Sequence, residues 1–127
     1  MQLALVDDLP FATVAVAYQN KTVAINNDLI DTGSATTVLA ADRVAAIGLV
    51  PAPDDILYTI RGVGGVEVVF ARRVDYLQLG ERQLADFEIE VGGLDYGFEI
   101  NGILGMDFLT RARTIIDLGK LIRDFTD

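Results

Sequence analysis

The chain has 127 residues, enough for one folded domain, and 51% of them are hydrophobic, which excludes a disordered chain. It contains no cysteine and no histidine, so disulfides, thiolate or imidazole metal sites and Ser-His-Asp or Cys-His nucleophiles are excluded, and catalysis must rest on carboxylates, hydroxyls, Lys, Arg or Tyr. Nineteen acidic residues against ten basic ones give a net charge of −9, which argues against nucleic acid or an anionic membrane surface as a partner.

In chain order, Met1–Asp8 lacks a basic region, and the apolar run Leu3–Val6 is too short for a signal core. No apolar stretch approaches the roughly 20 residues that span a bilayer. The expected location is the cytoplasm, or the soluble part of a longer anchored protein. Phe11–Tyr18 favours a strand and Gln19-Asn20-Lys21 a turn. Thr22–Ile25 and Leu29-Ile30 read as strand segments on either side of a polar turn at Asn26-Asn27-Asp28. Asp31-Thr32-Gly33-Ser34 interrupts the pattern with a loop. Thr37–Ile47 is alanine-rich and predicts a helix, with Gly48 placed for a left-handed C-terminal cap and Pro51 and Pro53 barring its continuation. Tyr58–Arg61 and Val66–Phe70 are short strands that flank Gly62-Val63-Gly64-Gly65, a hairpin tip.

Arg72–Leu79 continues as strand, and Gly80-Glu81 is a turn. Along Leu84–Val91, Phe87, Ile89 and Val91 alternate with Asp86, Glu88 and Glu90, the pattern of a half-buried strand with an acidic outer face. Gly92 to Gly102 reads as a loop carrying Tyr96 and Phe98. Met106–Arg113 predicts a short helix with Asp107 near its start, where a carboxylate satisfies free amides. Thr114–Leu118 and Leu121-Ile122 predict a closing hairpin turned at Gly119. The expected fold is a single mostly β domain over residues 1–127 with one or two short helices.

The string that carries chemistry is Leu29-Ile30-Asp31-Thr32-Gly33-Ser34. Two apolar residues lead a strand inward and deliver an aspartate to a tight loop, Thr32 offers a hydroxyl, and Gly33 permits close backbone approach. Ile115-Ile116-Asp117-Leu118-Gly119 echoes it, but Leu118 stands where a small hydroxyl residue would be needed, so Asp117 is read as a turn or strand-end residue. Asp7-Asp8 and Asp54-Asp55 read as surface pairs with no third ligand spaced to form a metal site.

Three segments together resemble the retropepsin family of retroviral-type aspartic proteases. Ile30–Ser34 looks like its catalytic loop, Ile60–Val66 like its glycine-rich flap hairpin, and Ile103-Leu104-Gly105 followed by Met106–Leu109 like the segment that supports the loop. The resemblance covers roughly Phe11 to Leu121. It implies a closed acid-protease barrel acting as one protomer of a symmetric homodimer, with Asp31, Thr32 and Gly33 catalytic and Ser34, Gly62, Val63, Gly64, Gly65 and Ile103 on the substrate. The two Asp31 carboxylates would activate a water to cut peptide bonds in an extended polypeptide, with no metal and no cofactor. The family's terminal strands often build the dimer sheet, whereas Lys120–Asp127 here carries Lys120, Arg123, Asp124 and Asp127. The alternative is a catalytically silent module of the same fold that dimerises or binds peptide.

Overall fold

The computed structural model describes residues 2–62, 65–94 and 99–127, with the backbone alone for residues 60–62 and 65–67. Among the described residues the elements run β1 (Ala4–Val6), β2 (Leu9–Tyr18), β3 (Lys21–Ile30), β4 (Val38–Ala40), α1 (Ala41–Val44), a 3₁₀ turn (Ala45–Ile47), β5 (Leu57–Gly62), β6 (Gly65–Leu79), β7 (Arg82–Gly92), β8 (Gly102–Leu104), α2 (Met106–Arg111), β9 (Thr114–Asp117) and β10 (Ile122–Phe125). The chain is mostly β with two short α-helices, as the sequence predicts.

Tight turns build the first half. Asp7-Asp8 joins β1 to β2 and Gln19-Asn20 joins β2 to β3, and all four residues have φ between 50 and 66°. Asn and Asp tolerate this left-handed region, and two-residue turns of this kind match the twist of the strands they connect. Eight strands lie in the order β1-β2-β3-β8-β4-β7-β6-β5, and β2 pairs a second time with β6. The pairings of β2, β3, β8, β4, β7 and β6 therefore close into a ring. Val14, Val16, Ile25, Leu77, Phe87 and Ile89 fill its interior with Leu39, Leu104 and Phe108, none more than 1% exposed. The rings of Phe87 and Phe108 meet edge to face at 5.7 Å, which ties α2 to the sheet.

The structure departs from the sequence expectation in two places. The stretch expected to be helical from Thr37 begins as β4, and only Ala41–Ile47 turns helical. Val38 and Leu39 pair with β8 on one side and β7 on the other, and burial between two strands outweighs the alanine-rich helix propensity. Gly48 does close the segment at φ 82°. The polar turn expected at Asn26-Asn27-Asp28 is instead part of a continuous β3. Between the pairs Ala12↔Asp28 and Val14↔Ile25 the register shifts, so Thr13 faces both Asn26 and Asn27, and Asn27 takes φ 59°. A bulge absorbs the polar residues without ending the strand.

β9 and β10 form a separate antiparallel ribbon, the closing hairpin read from the sequence. The N-terminal segment completes it: Gln2 bridges Ile122, and the Leu3 N–H donates to the Leu121 carbonyl at 2.7 Å. No helix among the described residues is long and apolar enough to cross a membrane.

Candidate active site

Asp31 stands at the first position after β3. Its N–H donates to the Leu104 carbonyl at 3.0 Å, one step beyond the parallel β3–β8 pairs that end at Ile30↔Leu104. The chain then folds back on the carboxylate. The Gly33 N–H donates to Asp31 Oδ1 at 2.9 Å, and the Ser34 N–H donates to the Asp31 carbonyl at 3.2 Å. A Cβ on Gly33 would lie 3.2 Å from that same carboxylate oxygen, so the residue allows a tight approach. Asp31 is half-buried, while Thr32 and Gly33 are exposed. A carboxylate with one oxygen held by backbone and with solvent access can act as a base or an acid toward a bound molecule.

α2 and its flanks lock this loop from below. The first amides of a helix have no partner within it; here the Met106 N–H donates to the Ser34 carbonyl at 2.7 Å and the Asp107 N–H to the Ala35 carbonyl at 3.2 Å. Such closeness requires glycine at 105. A Cβ there would overlap the Thr36 carbonyl oxygen and lie 2.9 Å from that of Ser34. Thr37, fully buried, binds the two segments together: its hydroxyl donates to Asp107 Oδ1 at 2.7 Å and accepts from the Gly105 N–H at 3.1 Å. Asp107 Oδ1 also accepts the Phe108 N–H at 2.7 Å, the helix-start role expected of it, but its main tie runs to Thr37 across 70 residues of sequence.

A second carboxyl lies deeper, three residues ahead of Asp31. Asp28 is fully buried, with Oδ2 accepting the Val14 N–H at 3.1 Å and Oδ1 without a partner among the described residues. Burial raises its pKa to about 8, while the bond from Val14 pulls the other way, so the group is protonated at neutral pH. Its space exists because residue 102 is glycine; a Cβ there would overlap Asp28 Oδ1. Asn101 steadies the same region, donating from Nδ2 to the Asn26 carbonyl at 2.9 Å, while its backbone bonds to Asn27 and Ala40.

The structure brings Asp31, Thr32, Gly33 and Ser34 into one loop over Leu104 and Gly105. The Ser34 hydroxyl donates to the Thr36 carbonyl at 2.7 Å, a contact internal to the loop. Ile103 is 8% exposed and packs with Phe11 and Ile100 in a small cluster beside the main core. Gly62 pairs with Gly65 at the end of the β5–β6 hairpin, while Val63 and Gly64, like Tyr96 and Phe98, lie outside the described residues. Asp117 serves the β9–β10 turn, where Oδ1 accepts the Lys120 N–H at 3.0 Å. Asp55 is no surface pair with Asp54. It is largely buried, and it binds Arg72 at 2.7 Å.

Asp28, Thr37 and Asn101 were not singled out by sequence reasoning. Each looks like an ordinary turn or helix residue until the strands that enclose it are paired.

Comparison with curated proteins gives no significant match. A family model described as "Aspartyl protease", from the retropepsin-like clan, matches residues 14–108. The matched stretch runs from β2 into α2 and contains the Asp31 loop, the hairpin tip and the Leu104-Gly105 support. With residues 14–108 matched, well over half of its length, the chain belongs to the aspartyl protease family.

Proposed function

We propose that the protein is an aspartic endopeptidase that works as a symmetric homodimer, cutting peptide bonds in extended polypeptides with apolar side chains around the scissile bond. The observation that carries this proposal is the Asp31 loop itself. The half-buried Asp31 carboxylate accepts the Gly33 N–H, the Asp31 N–H donates to the Leu104 carbonyl, and a network through Thr37 and Asp107 braces the loop. The chain has one Asp-Thr-Gly and no histidine or cysteine, so a second carboxylate from a second copy is the economical way to complete the site.

Two carboxylates about 3 Å apart do not both ionise and share one proton, the behaviour for which aspartic proteases are the standard case. The ionised Asp31 takes a proton from the water as it attacks the scissile carbonyl carbon. The partner's Asp31, protonated, donates to the carbonyl oxygen. The tetrahedral diol then collapses, the C–N bond breaks, and a proton passes to the leaving nitrogen. Ser34 and the Gly62–Gly65 hairpin would face the substrate backbone, with Ile103 shaping the apolar wall behind it.

Digestion of a peptide library by wild type and Asp31→Asn, side by side, tests the proposal. The substitution is nearly isosteric and removes the ionisable group, so cleavage should fall at least about 10³-fold with the fold intact. Equal cleavage by a folded Asp31→Asn protein would place the chemistry elsewhere. No cleavage by either protein, with peptide still bound, would favour the silent binding module.

A further inference from the structure

We infer that Glu90 determines specificity at the site proposed above, selecting polypeptides with a Lys or Arg two residues from the scissile bond; the inference rests on that reading and adds a substrate class to it. Glu90 lies in β7, and its N–H donates to the Thr37 carbonyl at 2.9 Å, which ties it to the segment leaving the Asp31 loop. Its Oε2 is enclosed by protein and has no hydrogen-bond partner among the described residues. No cation among them lies within salt-bridge distance of it; the ion pairs Arg43–Glu99 and Arg72–Asp55 are made elsewhere. Leaving an enclosed carboxylate oxygen unpaired is costly, and a cationic ligand would remove that cost.

Strand register puts Glu90 in line with the candidate site. Leu29 pairs with Ile103, Ile103 with Val38 and Val38 with Glu90, across β3, β8, β4 and β7. Directly paired residues share a face of the sheet, so these four side chains form one row. The opposite face carries Ile30, Leu104, Leu39 and Val91 into the core. The row therefore looks away from the interior of the ring, and alternation places Asp31, two residues after Leu29, on the same side. Leu29 and Glu90 are half-buried at its two ends, with Ile103 8% and Val38 2% exposed between them. Ile103 is the residue read above as the apolar wall behind the substrate.

The spacing suits a long basic side chain. Three strand spacings separate Leu29 from Glu90, about 14 Å. In an extended substrate laid along the row, alternate side chains share a face, and a residue two places from the cut stands about 7 Å away from it. The apolar stem of a Lys or Arg at that place covers the remainder over Ile103 and Val38, and its charged head reaches Glu90. A shorter or apolar side chain leaves the Glu90 oxygen unpaired. The net charge of −9 favours basic polypeptides in the same sense. In a symmetric dimer Glu90 recurs on both sides of the cut, so the preference is expected on either side.

Paired peptides that differ only in Lys against norleucine two places from the cut test this on the full chain. For wild type, kcat/KM should favour the Lys peptide at least about tenfold, mostly through KM. Glu90→Gln, nearly isosteric and with its fold checked by circular dichroism, should bring that ratio close to one. Glu90→Lys should turn the preference toward a peptide with Glu at the same place. A merely structural role would lower cleavage of both peptides together and leave the ratio unmoved in Glu90→Gln, which would overturn the inference. Equal cleavage of the two peptides by wild type would overturn it as well, and the Asp31 reading would stand if Asp31→Asn still abolished cleavage. If wild type cleaves neither peptide, the Asp31 reading falls, and fluorescence anisotropy of the labelled peptides decides Glu90 separately. Tighter binding of the Lys peptide that Glu90→Gln erases would keep Glu90 as the basic-residue site; equal binding of the two would remove it.

Discussion

Asp28 and Asp31 lie three residues apart in the same run of chain, yet their surroundings set them to opposite tasks. Asp31 is half-buried with a backbone donor on its carboxylate, while Asp28 is enclosed and held protonated. The buried acid has a consequence for stability. Its folded pKa of about 8 lies above the ordinary carboxyl value near 3.8. Below the lower value both folded and unfolded chains hold the proton. Between the two values only the folded chain holds it, so stability falls with rising pH, by about 1.4 kcal/mol per pH unit at most. Above about 8 the loss is complete. Asp28→Asn keeps an oxygen for the Val14 N–H and cannot ionise. Urea denaturation at pH 5, 6.5 and 8 should show wild type losing stability across the series, with Asp28→Asn nearly level. Parallel slopes for the two proteins would show that Asp28 does not carry the effect.

At the scale of elements, the loop is held by contacts that cross most of the chain. Thr37 on the approach to β4, Gly105 after β8 and Asp107 in α2 meet only because β8 runs between β3 and β4. Thr37→Val preserves shape but leaves the Gly105 amide without its acceptor and takes from Asp107 Oδ1 one of its two donors, the Phe108 N–H remaining. The expected cost is about 1–3 kcal/mol of stability, with cleavage falling as the loop loosens. Gly105→Ala should cost about as much or more, since the added methyl overlaps the Thr36 carbonyl and pushes α2 from the loop. Thermal unfolding of the two variants checks both; a Gly105→Ala protein as stable as wild type would mean that α2 shifts freely. The same elements explain where sequence reading failed. Periodicity and propensity read Ala-rich 37–47 as helix because neither measure contains the strands on either side of Val38 and Leu39. Asn26-Asn27-Asp28 looked like a turn because a bulge and a buried carboxyl have the same composition as one.

At the scale of the molecule, charge and closure set the terms for assembly. Each copy of the chain carries −9, so two copies brought together carry −18 and repel at long range. Added salt screens that repulsion, with a Debye length of about 10 Å at 0.1 M and about 3 Å at 1 M. Close charge pairs within a seam are screened less. Self-association should therefore strengthen as salt rises, and cleavage at low protein concentration should rise with it; dimer content that falls steadily with salt would mean that attraction between charged patches dominates. The turnover step should respond differently. In the proposed mechanism the general acid is a proton shared between two Asp31 carboxylates, which salt does not replace, so cleavage should fall toward alkaline pH even where dimer content is constant.

The sequence by itself determined the chemistry available and most of the local structure. Absence of His and Cys leaves carboxylates, Asp31-Thr32-Gly33 marks one of them, and Gly48 and the alternation of Phe87, Ile89 and Val91 are legible because short-range sterics and burial period dictate them. Only the tertiary structure decided which residues brace the site. Thr37 acquires its role from Gly105 and Asp107, 68 and 70 residues on, Asn101 from Asn26, 75 residues back, and Asp28 from the Val14 amide and the space that Gly102 leaves, and no local pattern encodes such partners. It also decided that the charged C-terminal strand turns back on its own chain and exposes β9. That outcome depends on Gln2 and Leu3 reaching Ile122 and Leu121, a contact between the two ends of the chain that neither end carries in its own sequence.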